Sequence, residues 1–173
     1  SEQDAKIAWD NGMAAVDLVK DRVAKYKIDC DLTFGYVEAA YHKRQMKSLD
    51  EMQREWEARG YDAFTRLEDQ TALSAHVDTN AYVGGLFDRK SGHMQPLKYL
   101  HGLAAAAGEQ GTLIYEKTPI VKIKTNQIDG YKHLHTQSGQ VVRAKILLLC
   151  GNAYLADINL PSMKSRLAKV TSS

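Results

Sequence analysis

The sequence predicts a mixed α/β fold of the α+β kind: a layered sheet carrying a β-meander, joined to part of a second, helix-bearing domain. Three observations predict it. A helix-periodic stretch opening at Pro96 gives way to short alternating strands, not to another helix. Turn chemistry at 126–130 and at Ser138-Gly139 divides those strands into antiparallel neighbours. Ile146, Leu147, Leu148 and Leu149 then run without alternation, as a strand covered on both faces does.

Taken in order, residues 5–28 read as a long helix with Ala8, Ala15, Leu18, Val19, Arg22 and Tyr26 on one face. Residues 31–41 alternate as a strand, Leu32, Phe34 and Tyr36 pointing one way and Thr33, Gly35 and Val37 the other. Ser48-Leu-Asp-Glu51 has the capping-box pattern of a second helix, with Leu49, Met52 and Trp56 as its buried stripe and Gly60 beyond its end. A shorter helix is expected over 68–74. Residues 80–87 read as a strand with a bulge or close backbone approach at Gly84-Gly85. The charged, Ser-Gly-containing stretch 88–93 is expected to be a turn, and it is the most plausible domain boundary.

Pro96 suits a first helical position because its missing N–H is not needed there. Leu97, Leu100, Leu103 and Ala107 build one apolar stripe, and Gly111 suits a left-handed cap. The alanine run 104–107 makes the helix thin enough to lie close on a sheet. Leu113, Ile114 and Tyr115 then suggest a short strand that Thr118-Pro119 ends. Residues 120–124 alternate apolar and cationic side chains, while 131–137 and 141–144 are expected to pair. The apolar run 146–149 exits through Cys150, Gly151 and Asn152. Ligands gather beyond the carboxyl ends of parallel strands, so this exit is a candidate ligand edge.

Composition sets bounds. The chain has 173 residues, 44% hydrophobic and 25% charged, enough for a real core in an ordinary globular protein. A net charge of +2 makes no electrostatic case for nucleic acid or a membrane surface. No apolar run approaches the roughly 20 residues of a spanning helix. Cys30 and Cys150 lie far apart in apolar settings, which favours buried free thiols and a cytoplasmic location over a disulfide framework.

Other residues that could carry chemistry have plainer readings. His93 could face an anion at a helix start, but more simply satisfies a turn. His133 and His135 share one side of a strand, yet no Cys or acidic partner stands at ligand spacing, so no metal is expected. Cys150 has Leu149 and Gly151 beside it and no neighbouring cation to make a thiolate, so it reads as packed and inert. Lys117, Lys122, Lys124 and Lys132 read as solvated sheet edge, and Trp9 and Trp56 as core or interface anchors.

One frame carries a resemblance. Gly92, three residues, Pro96, a helix ending in Glu109-Gln-Gly111, then TPIVKI, a meander and LLLCGNAYL resembles the middle of FAD-dependent amine and amino-acid oxidases. These are the flavoprotein oxidoreductases of D-amino-acid, glycine and sarcosine oxidase type. The GNAYL ending is most similar to gamma-glutamylputrescine oxidoreductases. The resemblance implies that Ile120 offers its backbone to the FAD adenine, and that Cys150, Gly151 and Asn152 lie beside the cofactor. It implies a reaction in which a hydride leaves the carbon beside an amine nitrogen for the flavin, and the resulting imine hydrolyses. It also implies a division into part of a substrate-binding domain (1–91), the middle of a FAD-binding domain (92–158) and a connection back toward the substrate domain (159–173). The partner is then a small-molecule amine or amino acid; catalytic residues are not identifiable in this stretch.

The sequence departs from the family pattern in one respect that matters. No Gly-x-Gly occurs, so the usual pyrophosphate cradle is missing. The expectation is an internal fragment of a longer oxidase, inactive alone and retaining FAD weakly or not at all. Apolar surface left open in such a piece could pair two copies. The rival reading is a non-catalytic α/β module that binds a small ligand or partner chain through the same sheet edge. A third is another two-domain flavin or nicotinamide dehydrogenase of similar layout.

Overall fold

The computed structural model describes residues 1–125 and 130–151 and divides the chain into two compact units, Ser1–Thr112 and Leu113–Ser173. The first unit runs α1 (Glu2–Tyr26), β1 (Thr33–Ala40), α2 (Lys43–Glu57), β2 (Phe64–Leu67), α3 (Gln70–Ser74), β3 (Gly84–His93) and α4 (Pro96–Glu109). Its sheet is antiparallel in the order β1-β3-β2, so β3 is paired along both edges. The described part of the second unit holds a meander of β4 (Ile120–Thr125), β5 (Lys132–Thr136) and β6 (Val141–Ala144), also antiparallel. Both units are mixed or strand structure with small sheets, as the sequence predicts.

The core of the first unit sits under α2. Met46 and Leu49 pack on Ala40 and Leu86, with Met52, Phe64 and Val83 around them. This stripe extends the expected Leu49, Met52 and Trp56. The helix, however, starts five residues before Ser48. Gln45 supplies the cap instead: its Oε1 accepts the amides of Tyr41 and His42 at 2.8 and 3.0 Å, satisfying two donors at the helix entrance. Ser48 therefore lies inside α2.

In α1 the half-buried residues include Trp9, Met13, Val19, Val23 and Tyr26, and no residue is fully buried. The expected face was thus rotated, and Leu18 is 48% exposed. The rotation follows from Trp9, whose ring meets Trp56 and Tyr61 edge-on at centroid separations of 5.1 and 6.2 Å. Such aromatic pairs add roughly 0.5–1.5 kcal/mol beyond area burial, which outweighs a stripe of alanines.

The stretch 88–93 is not a turn; it is the second half of β3. Tyr36 opposes Asp88 and Phe34 opposes Gly92, so three β3 residues face the single residue Gly35. Gly35 takes φ +106°, a conformation other residues rarely adopt. The turn chemistry kinks the strand without ending it. The close approach expected at Gly84-Gly85 is also real, but its cause is neighbouring backbone. A Cβ at Gly84 would stand 2.6 Å from the Leu67 carbonyl, and one at Gly85 2.7 Å from that of Glu38.

α4 begins at Pro96 as expected, and Gly111 beyond it is left-handed at φ +87°. Its packing face differs. Leu97 and Leu100 are exposed, and Ala106 is the buried residue. Within its unit the helix rests on the end of α1, not on a sheet. The Gln95 amide donates to the Cys30 carbonyl at 2.8 Å, Lys98 pairs with Asp31 at 2.7 Å, and Gln110 reaches the Tyr26 hydroxyl at 3.3 Å. The two segments approach closely at Gly102, where any Cβ would run into the Ile28 side chain.

Two expected strands are absent. Leu113, Ile114 and Tyr115 form none and are exposed. Ile146, Leu147, Leu148 and Leu149 are also irregular, with Ile146 and Leu148 87% and 82% exposed. A buried strand needs ladder partners, and no described strand lies along 146–149. Hydrophobicity alone cannot supply them. The 131–137 and 141–144 pairing is borne out as β5 and β6. Most of the turn at 126–130, and the whole of 159–173, lie outside the described residues.

Gly102 and Gly12 make opposite tests of close packing. Gly102→Ala is expected to destabilise the chain by about 1–3 kcal/mol through overpacking against Ile28. Gly12→Ala, in an α1 position with open space around it, is expected to stabilise by about 0.5–1 kcal/mol. Thermal or urea melts of the two variants read both signs.

Candidate functional site

The kink in β3 organises the one buried carboxylate among the described residues. Asp88 is buried, and its Oδ1 and Oδ2 accept from the Tyr61 hydroxyl at 2.7 and 2.8 Å. The Ser91 hydroxyl donates to Oδ2 at 2.5 Å, and the amides of Lys90 and Ser91 donate to Oδ1 at 2.9 and 3.3 Å. Burial alone would raise the Asp88 carboxyl. The hydrogen bonds from Ser91, Tyr61 and the two amides outweigh it and hold the group below the usual carboxylate value. Burial, and then the hydrogen bond to Asp88, push the Tyr61 phenol up, so it stays a donor.

Tyr61 and Ser91 also line a groove of about 600 Å³ between α1 and the ends of β1 and β3, floored by Trp9, Met13, Phe34 and Trp56. Its cations are committed nearby. Lys20 pairs with Asp17 and lies over the Phe34 ring at 5.1 Å; Lys90 pairs with Asp62 and lies over Tyr61 at 5.4 Å. The groove can therefore receive an apolar or aromatic group, but has no spare charge of its own to orient an ion. His93 sits at its rim, exposed, at the end of β3. It precedes α4 as expected, and the Gln95 side chain, not His93, caps that helix.

The sequence-derived cofactor residues fall in the second unit. Ile120 opens β4 opposite Thr136, and a register shift between Ile120 and Lys122 turns Val121 into a bulge. The bulge brings Ile120 onto the same face as Ile123, and Ile120 is half-buried. β4 is an outer strand of its sheet, so its second edge has no described partner. Cys150 is exposed, contrary to the packed reading, and Gly151 is half-buried; both lie outside the strands, and Cys150 is a free thiol. Asn152 lies outside the described residues. The structure does not join Ile120 to Cys150 or Gly151 by any hydrogen bond or ring contact among the described residues. No group of three metal-binding side chains occurs among them either.

Sequence reasoning missed Asp88 and Tyr61. The available signal was an Asp followed at the second and third positions by Lys and Ser, a spacing that lets one carboxylate accept two successive amides.

Comparison with known proteins now defines the class. The DAO family of FAD-dependent oxidoreductases matches residues 2–171, and the chain belongs to that family. Among particular relatives, the chain is 36% identical over 155 residues to the "Probable oxidoreductase OrdL" of Haemophilus influenzae, covering 89% of this chain and 35% of that protein. It is 32% identical over 150 residues to gamma-glutamylputrescine oxidoreductase of Escherichia coli, covering 87% of this chain and 34% of that one. The chain thus spans about a third of the length of these curated relatives. Its fold is that of a glycine oxidase from Geobacillus kaustophilus (TM-score 0.68, 19% identity, 82% of this chain and 38% of that one). It is equally that of an L-proline dehydrogenase from P. horikoshii (TM-score 0.70, 17% identity, 92% and 41%).

The Asp88 knot has a pH signature. A carboxyl with a folded pKa below its unfolded value is protonated first in the unfolded chain. Its stabilisation is complete above the unfolded value near ~3.9, and is lost as pH falls through the lower folded value. Asp88→Asn is expected to cost about 1–3 kcal/mol at neutral pH, since it disturbs four donors around a buried acceptor. The variant should also lose stability less steeply than the parent in urea melts taken below about pH 4.

Proposed function

We propose that this chain is a middle portion of a FAD-dependent oxidase that oxidises the carbon–nitrogen bond of a small amine or amino acid, gamma-glutamylputrescine being the favoured substrate. The family match over 2–171 carries the reading, supported by the 32% identity to gamma-glutamylputrescine oxidoreductase.

The residues present fit FAD in part. The outer edge of β4, which has no partner strand among the described residues, and its bulge at Val121 offer backbone beside Ile120 to a planar heterocycle. Cys150 and Gly151 are small enough for close approach, and Asn152 completes that exit. No residue pattern here supplies a pyrophosphate cradle, because the sequence has no Gly-x-Gly. Bound FAD supplies the acceptor for the substrate's hydride. The chain's own contribution is to bind and orient: the adenine end at Ile120, the cofactor edge at 150–152. Residues 1–91 correspond to part of a substrate-binding domain. The chain alone is expected to retain FAD weakly and to show no turnover.

The test uses the full-length protein that contains this chain. Anaerobic addition of gamma-glutamylputrescine is expected to bleach its oxidised flavin absorption. Bleaching by another amine or amino acid would keep the class and replace the substrate; no bleaching by any of them would refute the reading. In the same protein, Ile120→Asp is expected to weaken FAD retention by about tenfold or more, the scale of one lost contact of roughly 1.4 kcal/mol. Unchanged retention would remove Ile120 from the cofactor site.

A further inference from the structure

The whole-chain charge of +2 averages two very different parts. Residues 1–112 hold 14 Lys and Arg against 18 Asp and Glu, a formal −4; residues 113–173 hold nine against three, a formal +6. The meander sorts part of this excess onto one side. Directly opposed residues of antiparallel strands share a face, and the register pairs Lys122 with His135, Lys124 with His133, and His133 with Arg143. Lys122, Lys124, His133, His135 and Arg143 therefore stand together. Ile123, Leu134 and Val142 occupy the other face together with Lys132, while Val141 stands opposite His135 at the end of the cationic face. Lys122, Lys124 and Arg143 are exposed, and both histidines are half-buried between them.

Alternate residues on a strand lie roughly 6.8 Å apart and neighbouring strands about 4.8 Å, so the cations form a flat lattice, not a pocket. A flat lattice suits a planar array of anions. The face has few of the features that other polyanionic or protein partners need. Tyr131 beside it carries the Arg143 guanidinium at 4.7 Å from its ring, so it is no free stacking platform for bases. Nor is there an apolar centre, and lysines are depleted at the core of protein interfaces.

We propose that this face of the meander docks on anionic phospholipid headgroups, holding the protein reversibly at a membrane surface. The attachment proposed for this face is peripheral and electrostatic; no described helix is long and apolar enough to cross a membrane. The expectation of no membrane partner rested on the summed charge, which conceals the asymmetry.

The test is co-sedimentation of the full-length, flavin-loaded protein with phosphatidylcholine vesicles, with and without phosphatidylserine. Binding is expected only with phosphatidylserine, and it should fall with added salt. The paired change Lys122→Glu and Lys124→Glu should lower it by about tenfold or more. Flavin content and melting temperature report whether that variant is folded; if it is not, Lys124→Gln should still lower binding severalfold. Three results overturn the proposal: no binding to phosphatidylserine vesicles at low salt, equal binding to phosphatidylcholine alone, or folded charge variants that bind like the parent. Tighter capture by a polynucleotide than by the vesicles would also overturn it, and would assign the face to nucleic acid.

Discussion

Strand β3 can be central only because the Asp88 carboxylate is fully answered. The strand must carry a kink of three residues against one and still hold two neighbours in register. A buried carboxylate is costly unless every lone pair finds a donor. Here Tyr61 comes from the segment before β2, and Ser91 and two amides come from the kink itself. The same group therefore shapes the strand and ties it to the chain entering its neighbour. Tyr61 also joins the ring cluster of Trp9, Trp56 and Phe64, so α1 and α2 take their places from the same point.

The second unit works on a different principle. β4 alternates apolar and cationic residues, and the bulge at Val121 resets that alternation so that Ile120 joins the side of Ile123 and Leu134. One face is thus more apolar and the other more cationic, while the outer edge of β4 has no partner strand among the described residues. The chain belongs to a flavin-dependent family whose chemistry resides in the cofactor, and the proposal gives such a unit binding and orientation as its task.

Much of this plan could be read from residue order. Pro96 and Gly111 marked the α4 region because their backbone limits are intrinsic. The meander was legible because β5 and β6 are linked by a four-residue connection with Ser138-Gly139 at its centre. What failed depended on distant partners. Trp9 rotated the α1 face toward Trp56, residues far away in sequence, and Gln45 out-competed Ser48 as a cap through backbone geometry no local pattern contains. The run 146–149 looked like a strand because it is apolar, yet a strand is defined by its ladder. Turn chemistry at 88–93 was correctly seen and wrongly used, since Asp88 bends β3 without ending it. Ile120 and Cys150 stand out as cofactor residues only through family likeness, because no local pattern marks a residue that offers its backbone or its small size to a cofactor.

Hydrogen–deuterium exchange on this chain measures the primacy of β3 most directly. The amides of Leu86 and Phe87, residues with partners on both neighbouring strands, are expected to be among the slowest to exchange in the first unit, with Leu147 and Leu148 exchanging orders of magnitude faster. Leu86 and Phe87 exchanging as fast as Leu147 and Leu148 would show that β3 is not the strand around which the first unit is built.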